Sequence, residues 1–187
     1  MNNILRRLII IFTLLAISLL IVYTYIYLNT VDLNKENIVK NIEKEAGSGV
    51  EILQIIENRN DQFILFKNKS SGQLGMIYYE PHTLLASRYV FLGGSNITGR
   101  ADINTKFGVY DFGPATDKSY DRLIVVYGYN GPKAQTIELK FKNNTVTRNI
   151  GGSDYFLHVF RFSQDNLIGP EVKFLDKAGK DITQKFL

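Results

Sequence analysis

Few residues in this chain could do acid–base or metal chemistry. There are two histidines, His82 and His158, far apart in the sequence, and no cysteine. The missing thiol excludes disulfides, thiolate zinc sites, iron–sulfur clusters, cysteine nucleophiles and a lipidated N-terminal cysteine together. No H-E-x-x-H spacing occurs and no G-x-S-x-G elbow presents a serine, so a Ser-His-Asp triad would have to be drawn from distant positions. His158 shares strand parity with Phe156, Phe160 and Phe162. The alternate residues Tyr155, Leu157 and Val159 are apolar as well, so a packed, neutral core imidazole is expected. His82, within Glu80-Pro81-His82-Thr83, reads as an exposed turn residue.

The carboxylates are spread through predicted loops: Asp102, Asp111, Asp117, Asp121, Asp154, Asp165, Asp176 and Asp181. A calcium loop needs oxygen ligands at alternating positions with a glycine at the sharp turn; Asp102-Ile103-Asn104 begins that pattern, and Lys106 and Phe107 break it. Glycosidase chemistry needs two carboxyls at a fixed spatial separation, which spacing along the chain does not determine. Gly94 to Ala101 carries the two glycines of a phosphate loop but lacks its lysine and its hydroxyl residue, and no helix-forming segment follows. The sequons at Asn68, Asn96 and Asn143 are chance matches in an asparagine-rich chain. The sequence therefore assigns no catalytic, cofactor-binding or metal-ligating residue and implies no cofactor.

What remains is an aromatic supply: Tyr78, Tyr79, Tyr89, Phe91, Tyr110, Phe112, Tyr127 and Tyr129 stand in or beside predicted strands, where aromatics usually fill a β core. Any that face outward could bind a wall glycan or a partner protein. The absence of tryptophan, a favoured stacking surface for sugars, weighs against the glycan. Nucleic acid is not an expected partner. Of the net charge of +4, two units come from Arg6 and Arg7 ahead of an apolar run, and the other basic residues are scattered rather than clustered on one face.

The elements that must position these residues fall into three parts. From Leu8 to Leu28 the chain is uncharged and almost wholly apolar. A helix of that length, at about 1.5 Å per residue, spans a hydrocarbon core of about 30 Å. The run exceeds a signal-peptide core, and it exits through Tyr23, Tyr25 and Tyr27 rather than a small-residue cleavage site, as an interfacial aromatic belt would. Arg6 and Arg7 before the run favour a cytoplasmic N-terminus. The expected organisation is a cytoplasmic tail at 1–7, an anchor at 8–28 in contact with the lipid bilayer, a helical stalk or linker at 29–49, and a β-rich extracytoplasmic domain at 50–187.

Within 29–49, Asp32 is the expected N-cap and Gly47 the C-cap glycine of a helix of about fourteen residues, with Ile38, Ile42 and Ala46 on one stripe. From Val50 onward the period changes to that of strands. VEILQII and QFILFKN form a hairpin around Glu57-Asn58-Arg59-Asn60-Asp61, LGMIYYE follows, and SRYVFL is expected to end at Gly93-Gly94. DRLIVVYGYN and DYFLHVFRF are apolar on both faces, as central strands are, whereas TIELKF alternates and keeps one face in water. Turns are expected at Asn143-Asn144 and at Asp176-Lys177-Ala178-Gly179, and the stretch 94–121 is the least regular. The fold class that follows is a mainly β, antiparallel sheet or sandwich with one short helix, behind a single N-terminal transmembrane helix.

On Arg6-Arg7 with the Ile/Leu anchor, the VEILQII…QFILFKN…LGMIYYE hairpin style and the terminal LDKAGKDIT, the chain resembles the small membrane-anchored, uncharacterised exported proteins of low-GC Gram-positive bacteria. The resemblance implies a location and carries no activity. Two functions fit this reading: a non-enzymatic module that binds an envelope protein or wall component, and an extracytoplasmic hydrolase or transferase using serine or carboxylate chemistry.

Overall fold

β-Branched and aromatic residues recur at strand period from Val50 onward, and the chain answers with antiparallel sheets. The computed structural model describes residues 3–85, 87–95, 107–112, 122–142, 144–162 and 169–187. Among these residues the fold is mainly β, with ten strands and two α-helices. The helices are α1 (Asn3–Leu28) and α2 (Lys35–Ala46). A first sheet is the meander β1 (Val50–Asn58), β2 (Asp61–Asn68), β3 (Leu74–Pro81) and β4 (Tyr89–Ser95). A middle sheet has the order β5 (Phe107–Phe112), β6 (Arg122–Tyr129), β9 (Tyr155–Phe162). The third runs β10 (Glu171–Leu175), β7 (Thr136–Lys140), β8 (Thr145–Asn149), and a short 3₁₀ turn, Thr183–Lys185, closes the chain.

Side-chain alternation decides how these sheets stack. In the first sheet one parity, Ile64, Phe66, Ile77 and Tyr79, is covered by Ile38 and Ile42 of α2. The other parity, Phe63, Leu65, Met76 and Tyr78, meets Leu123, Val125, Tyr127 and Leu157 of the middle sheet. The opposite face of the middle sheet, with Ile124, Val126, Phe156 and Phe160, packs on Ile137, Leu139, Phe174 and Phe186. The layers are therefore helix, sheet, sheet, sheet. Phe174 and Phe186, stacked 3.9 Å apart, fasten the C-terminal turn into the outer core. Asn130, fully buried beyond β6, is satisfied locally: it donates to the carbonyls of Ala134 and Ser153 and accepts from Ala134 N–H.

Several sequence expectations change in detail. Among the described residues β9 is an edge strand in hydrogen bonding, and it is apolar on both faces because its whole sheet is the middle layer. The hairpin between β1 and β2 turns on only Arg59 and Asn60, both at positive φ (54° and 73°), as a tight two-residue turn requires. Gly93-Gly94 lies inside β4, paired with Tyr78 and Ile77; the register shifts at Tyr78/Tyr79, which leaves Leu92 as the extra residue of a bulge just before the glycines. Asp32 is not the cap of α2. It accepts the Asn34 N–H, and Asn34 caps by accepting from Asn37 N–H, while Gly47 (φ 84°) ends the helix as expected. The irregular stretch contains β5, where Gly108 sits opposite Tyr127: a Cβ there would lie 2.4 Å from the buried ring. The turn at Asp176 is present, its carboxylate accepting from Ala178 and Lys180 N–H, whereas Asn143 lies outside the described residues.

α2 is no free stalk, since Ile38 and Ile42 are buried against the first sheet and Val31 bridges to Tyr89. α1 is the opposite case. The helix from Ile4 to Leu28 is long and apolar enough to cross a membrane, and its apolar stretch has no residue buried by the rest of the chain.

Candidate functional site

One group of polar side chains lies in the interface between the first and middle sheets. Arg161 on β9 pairs across to Leu123, which puts it on the face that meets the first sheet. There its guanidinium donates from Nε to Asn58 Oδ1 at 2.9 Å, from Nη2 to the Asn58 carbonyl at 3.1 Å, and from Nη2 to the Asp61 carboxylate. Asp61 is buried, and the tight turn at Arg59-Asn60 brings it and Asn58 within reach of one guanidinium. The Tyr78 hydroxyl bonds to the same carboxylate. Its ring is fixed by stacking on Phe63 at 4.7 Å and by an edge contact to Phe112.

The electrostatics follow from burial. Tyr78 is pushed well above the ordinary tyrosine range by desolvation first and by the Asp61 and Glu80 charges second, with Arg161 opposing. Glu80, half-buried on the same strand, is raised above the usual carboxylate range by desolvation and then by Asp61, again against Arg161. Two carboxylates, a phenol and a guanidinium are the ingredients of an acid–base site. The arrangement is closed, however, because Asp61 already accepts from Arg161 and Tyr78. Its role is to clamp the β1–β2 hairpin to β9 across two sheets.

A second polar group joins α1 to the domain. Arg88 donates from Nε to Thr30 Oγ1 at 2.9 Å, and from Nη2 to the Tyr27 carbonyl at 2.6 Å and to the Thr30 carbonyl, with its guanidinium 4.0 Å from the centre of the Tyr27 ring. The carbonyls at a helix C-terminus have no partners within the helix. Here Asn29 Nδ2 caps Tyr25, Thr30 Oγ1 caps Ile26, and Arg88 caps Tyr27 with a positive charge where the helix dipole favours one. Val31 and Tyr89 exchange backbone hydrogen bonds of 2.8 Å, so the junction is extended into the edge of β4.

Neither histidine ring belongs to these two groups, although the His82 N–H donates to the Arg88 carbonyl. His158 faces the third sheet between Phe156 and Phe160, but it is half-buried rather than enclosed. Its pKa is lowered by desolvation and then by the positive charge of Arg148. His82 is also half-buried rather than exposed, and its Nδ1 accepts the Leu84 N–H at 3.2 Å.

Of the aspartates, Asp111 pairs with Arg122 and Asp154 with Lys133, and Asp181 is held low by hydrogen bonds from the Thr183 hydroxyl and N–H. Asp102, Asp117, Asp121 and Asp165 lie outside the described residues, as does most of the Gly94–Ala101 segment. Among the described residues no group of three or more His, Asp or Glu side chains could hold a metal ion.

Of the eight aromatics singled out, Tyr78, Tyr79 and Tyr127 are buried, and Phe91 and Tyr129 face solvent. Tyr129 lines an open recess of about 480 Å³ with Gly131, Pro132, Gln184, Lys185 and Leu187. Sequence reasoning missed both arginine clusters. The signal for Arg161 was a charge at inward parity in an otherwise apolar strand. For Arg88 no local signal existed, because its partners are 58 and 61 residues away. Compared with protein-family models, curated proteins and solved structures, the chain matches none.

Proposed function

We propose that this chain is a single-pass membrane protein, with Met1–Arg7 in the cytoplasm, α1 across the bilayer and the β domain outside. There it acts as a non-enzymatic binding module for an envelope protein or wall component, at the location implied by its resemblance to the small anchored exported proteins of low-GC Gram-positive bacteria. One observation carries the reading. An apolar helix with no buried residue in its membrane-spanning stretch ends in a Tyr27 carbonyl that the domain's own Arg88 caps, beside the local cap of Ile26 by Thr30. Cleavage near Leu28 would take away the Tyr27 carbonyl and ring that Arg88 engages, which favours a retained anchor over a removed leader. The solvent-facing Tyr129 and its recess support recognition rather than turnover, and the closed Asp61–Arg161–Tyr78 arrangement favours a structural clamp over the hydrolase alternative.

The test is a pair of fusions after Leu187. A phosphatase active only outside the cytoplasm should be active there, and a reporter active only inside should be silent. The reverse pattern overturns the orientation and, with it, the extracytoplasmic binding role.

A further inference from the structure

The geometry points to a second membrane contact: Leu84, which follows β3, lies in the headgroup–acyl boundary of the bilayer that α1 spans. This inference rests on the membrane-anchored reading and adds to it a lipid-facing surface on the β domain itself.

Three observations converge on Leu84. It is 75% exposed, against 61% for Leu187 and 46% for Ile55 and Leu92, so among the described residues it is the most exposed large apolar side chain outside α1. The loop that carries it is shaped rather than loose. His82 N–H donates to the Arg88 carbonyl at 2.7 Å, Arg88 N–H to the Leu85 carbonyl at 2.9 Å, and Leu84 N–H to the His82 ring. These bonds hold the leucine outward instead of letting it fold back on the sheet. Finally, Arg88, which closes the loop, is the residue bonded to the Tyr27 carbonyl and stacked on its ring. Four residues of chain span at most about 14 Å, so Leu84 is tethered close to the last turn of α1.

That turn is where Tyr23, Tyr25 and Tyr27 form the aromatic belt expected at a membrane interface. An apolar side chain within that reach of the belt can enter the boundary region, whose depth of about 5–10 Å accepts side chains of this size. From His82 through Ser87 the loop carries no acidic residue, so an anionic leaflet would not repel it.

The chain has no tryptophan, so Leu84→Trp in the full protein gives a single fluorescent reporter at an exposed site. Leu19→Trp, in the middle of α1, and Leu187→Trp, at the C-terminus, are the references. Each variant is reconstituted in vesicles of equimolar phosphatidylcholine and phosphatidylglycerol, without brominated lipid, with lipid brominated high on the acyl chains, or with lipid brominated deep near their ends. The expected result is an emission from Leu84→Trp blue-shifted from that of Leu187→Trp and quenched about two-fold by the shallow bromine, with Leu187→Trp unaffected. If Leu19→Trp is quenched and Leu84→Trp behaves as Leu187→Trp, the loop contact is wrong and the anchor stands. If Leu19→Trp also escapes deeply brominated lipid, the anchor reading falls as well. Leu84→Cys carrying a nitroxide provides a second readout in the same vesicles. Greater accessibility to oxygen than to a water-soluble nickel chelate supports the contact, and the opposite ratio overturns it.

Discussion

Replacing Arg161 with methionine is the most direct probe of the clamp between the first two sheets. The substitution keeps much of the side chain's apolar volume and removes three hydrogen bonds, two to Asn58 and one to Asp61. It also leaves Asp61 as a buried carboxylate whose cation has gone, with only the Tyr78 hydroxyl still bonded to it. The side chains of the pair are 19% and 11% exposed, so water screens the loss poorly. Breaking a buried pair from one side costs about 3–5 kcal/mol. At about 2–4 °C per kcal/mol for a chain of this size, the melting temperature should fall by roughly 6–20 °C. Near-ultraviolet circular dichroism of the full chain in detergent micelles would follow the transition, since the tyrosines report tertiary packing. Adding Asp61→Leu to Arg161→Met should recover a large part of the loss, because an apolar replacement of both partners leaves no buried charge. A single variant melting within about 2 °C of wild type would refute the reasoning and make the pair a solvated contact.

The two shifted groups predict opposite pH dependences. The Glu80 carboxyl is raised above 4.5 in the fold, so the native state holds a proton that the unfolded chain releases, and stability should fall as pH rises through the window just above 4.5. Glu80→Gln should flatten that slope in melts taken between the acidic and neutral range; parallel profiles for variant and wild type would contradict the assignment. His158 is lowered below 6.5, so the unfolded chain binds the extra proton and stability should be lost as pH falls through the window below 6.5. His158→Gln should cost about 1 kcal/mol at pH 7.5 through lost packing, and less on the acidic side of that window. An unchanged melting temperature at both pH values would argue that the ring does not pack on Phe156 and Phe160.

Strand identity was legible wherever β-branched and aromatic residues ran together, because period and composition agreed: β1, β2, β3, β6, β7 and β9 all sit where the pattern predicts them. The stacking was not legible. VEILQII gives no sign that its sheet has a helix on one side and another sheet on the other, and the doubly apolar DYFLHVFRF fits a central strand as well as an edge strand in a middle layer. β5 was overlooked because Gly108 and Asp111 interrupt its apolar run, yet the glycine is what lets Tyr127 lie flat across it. The polar clusters were hidden for a different reason. Arg161 and Asp61 are 100 residues apart, and hydrogen bonds at that separation are written in topology rather than in local spacing.

The order of the strands in the sheets also sets an order of assembly. The first sheet is a plain meander, each strand paired with its neighbour in sequence, so it and α2 can close as soon as Ser95 has been made. The middle sheet cannot, since β9 must return to β6 after β7 and β8 have been laid down elsewhere. In the interval Phe63, Leu65, Met76 and Tyr78 form a finished apolar face with nothing against it. A chain made from its N-terminus therefore passes through a stage in which half of it is folded and sticky. Chaperone dependence and aggregation losses should concentrate in the interval between completion of β4 and arrival of β9.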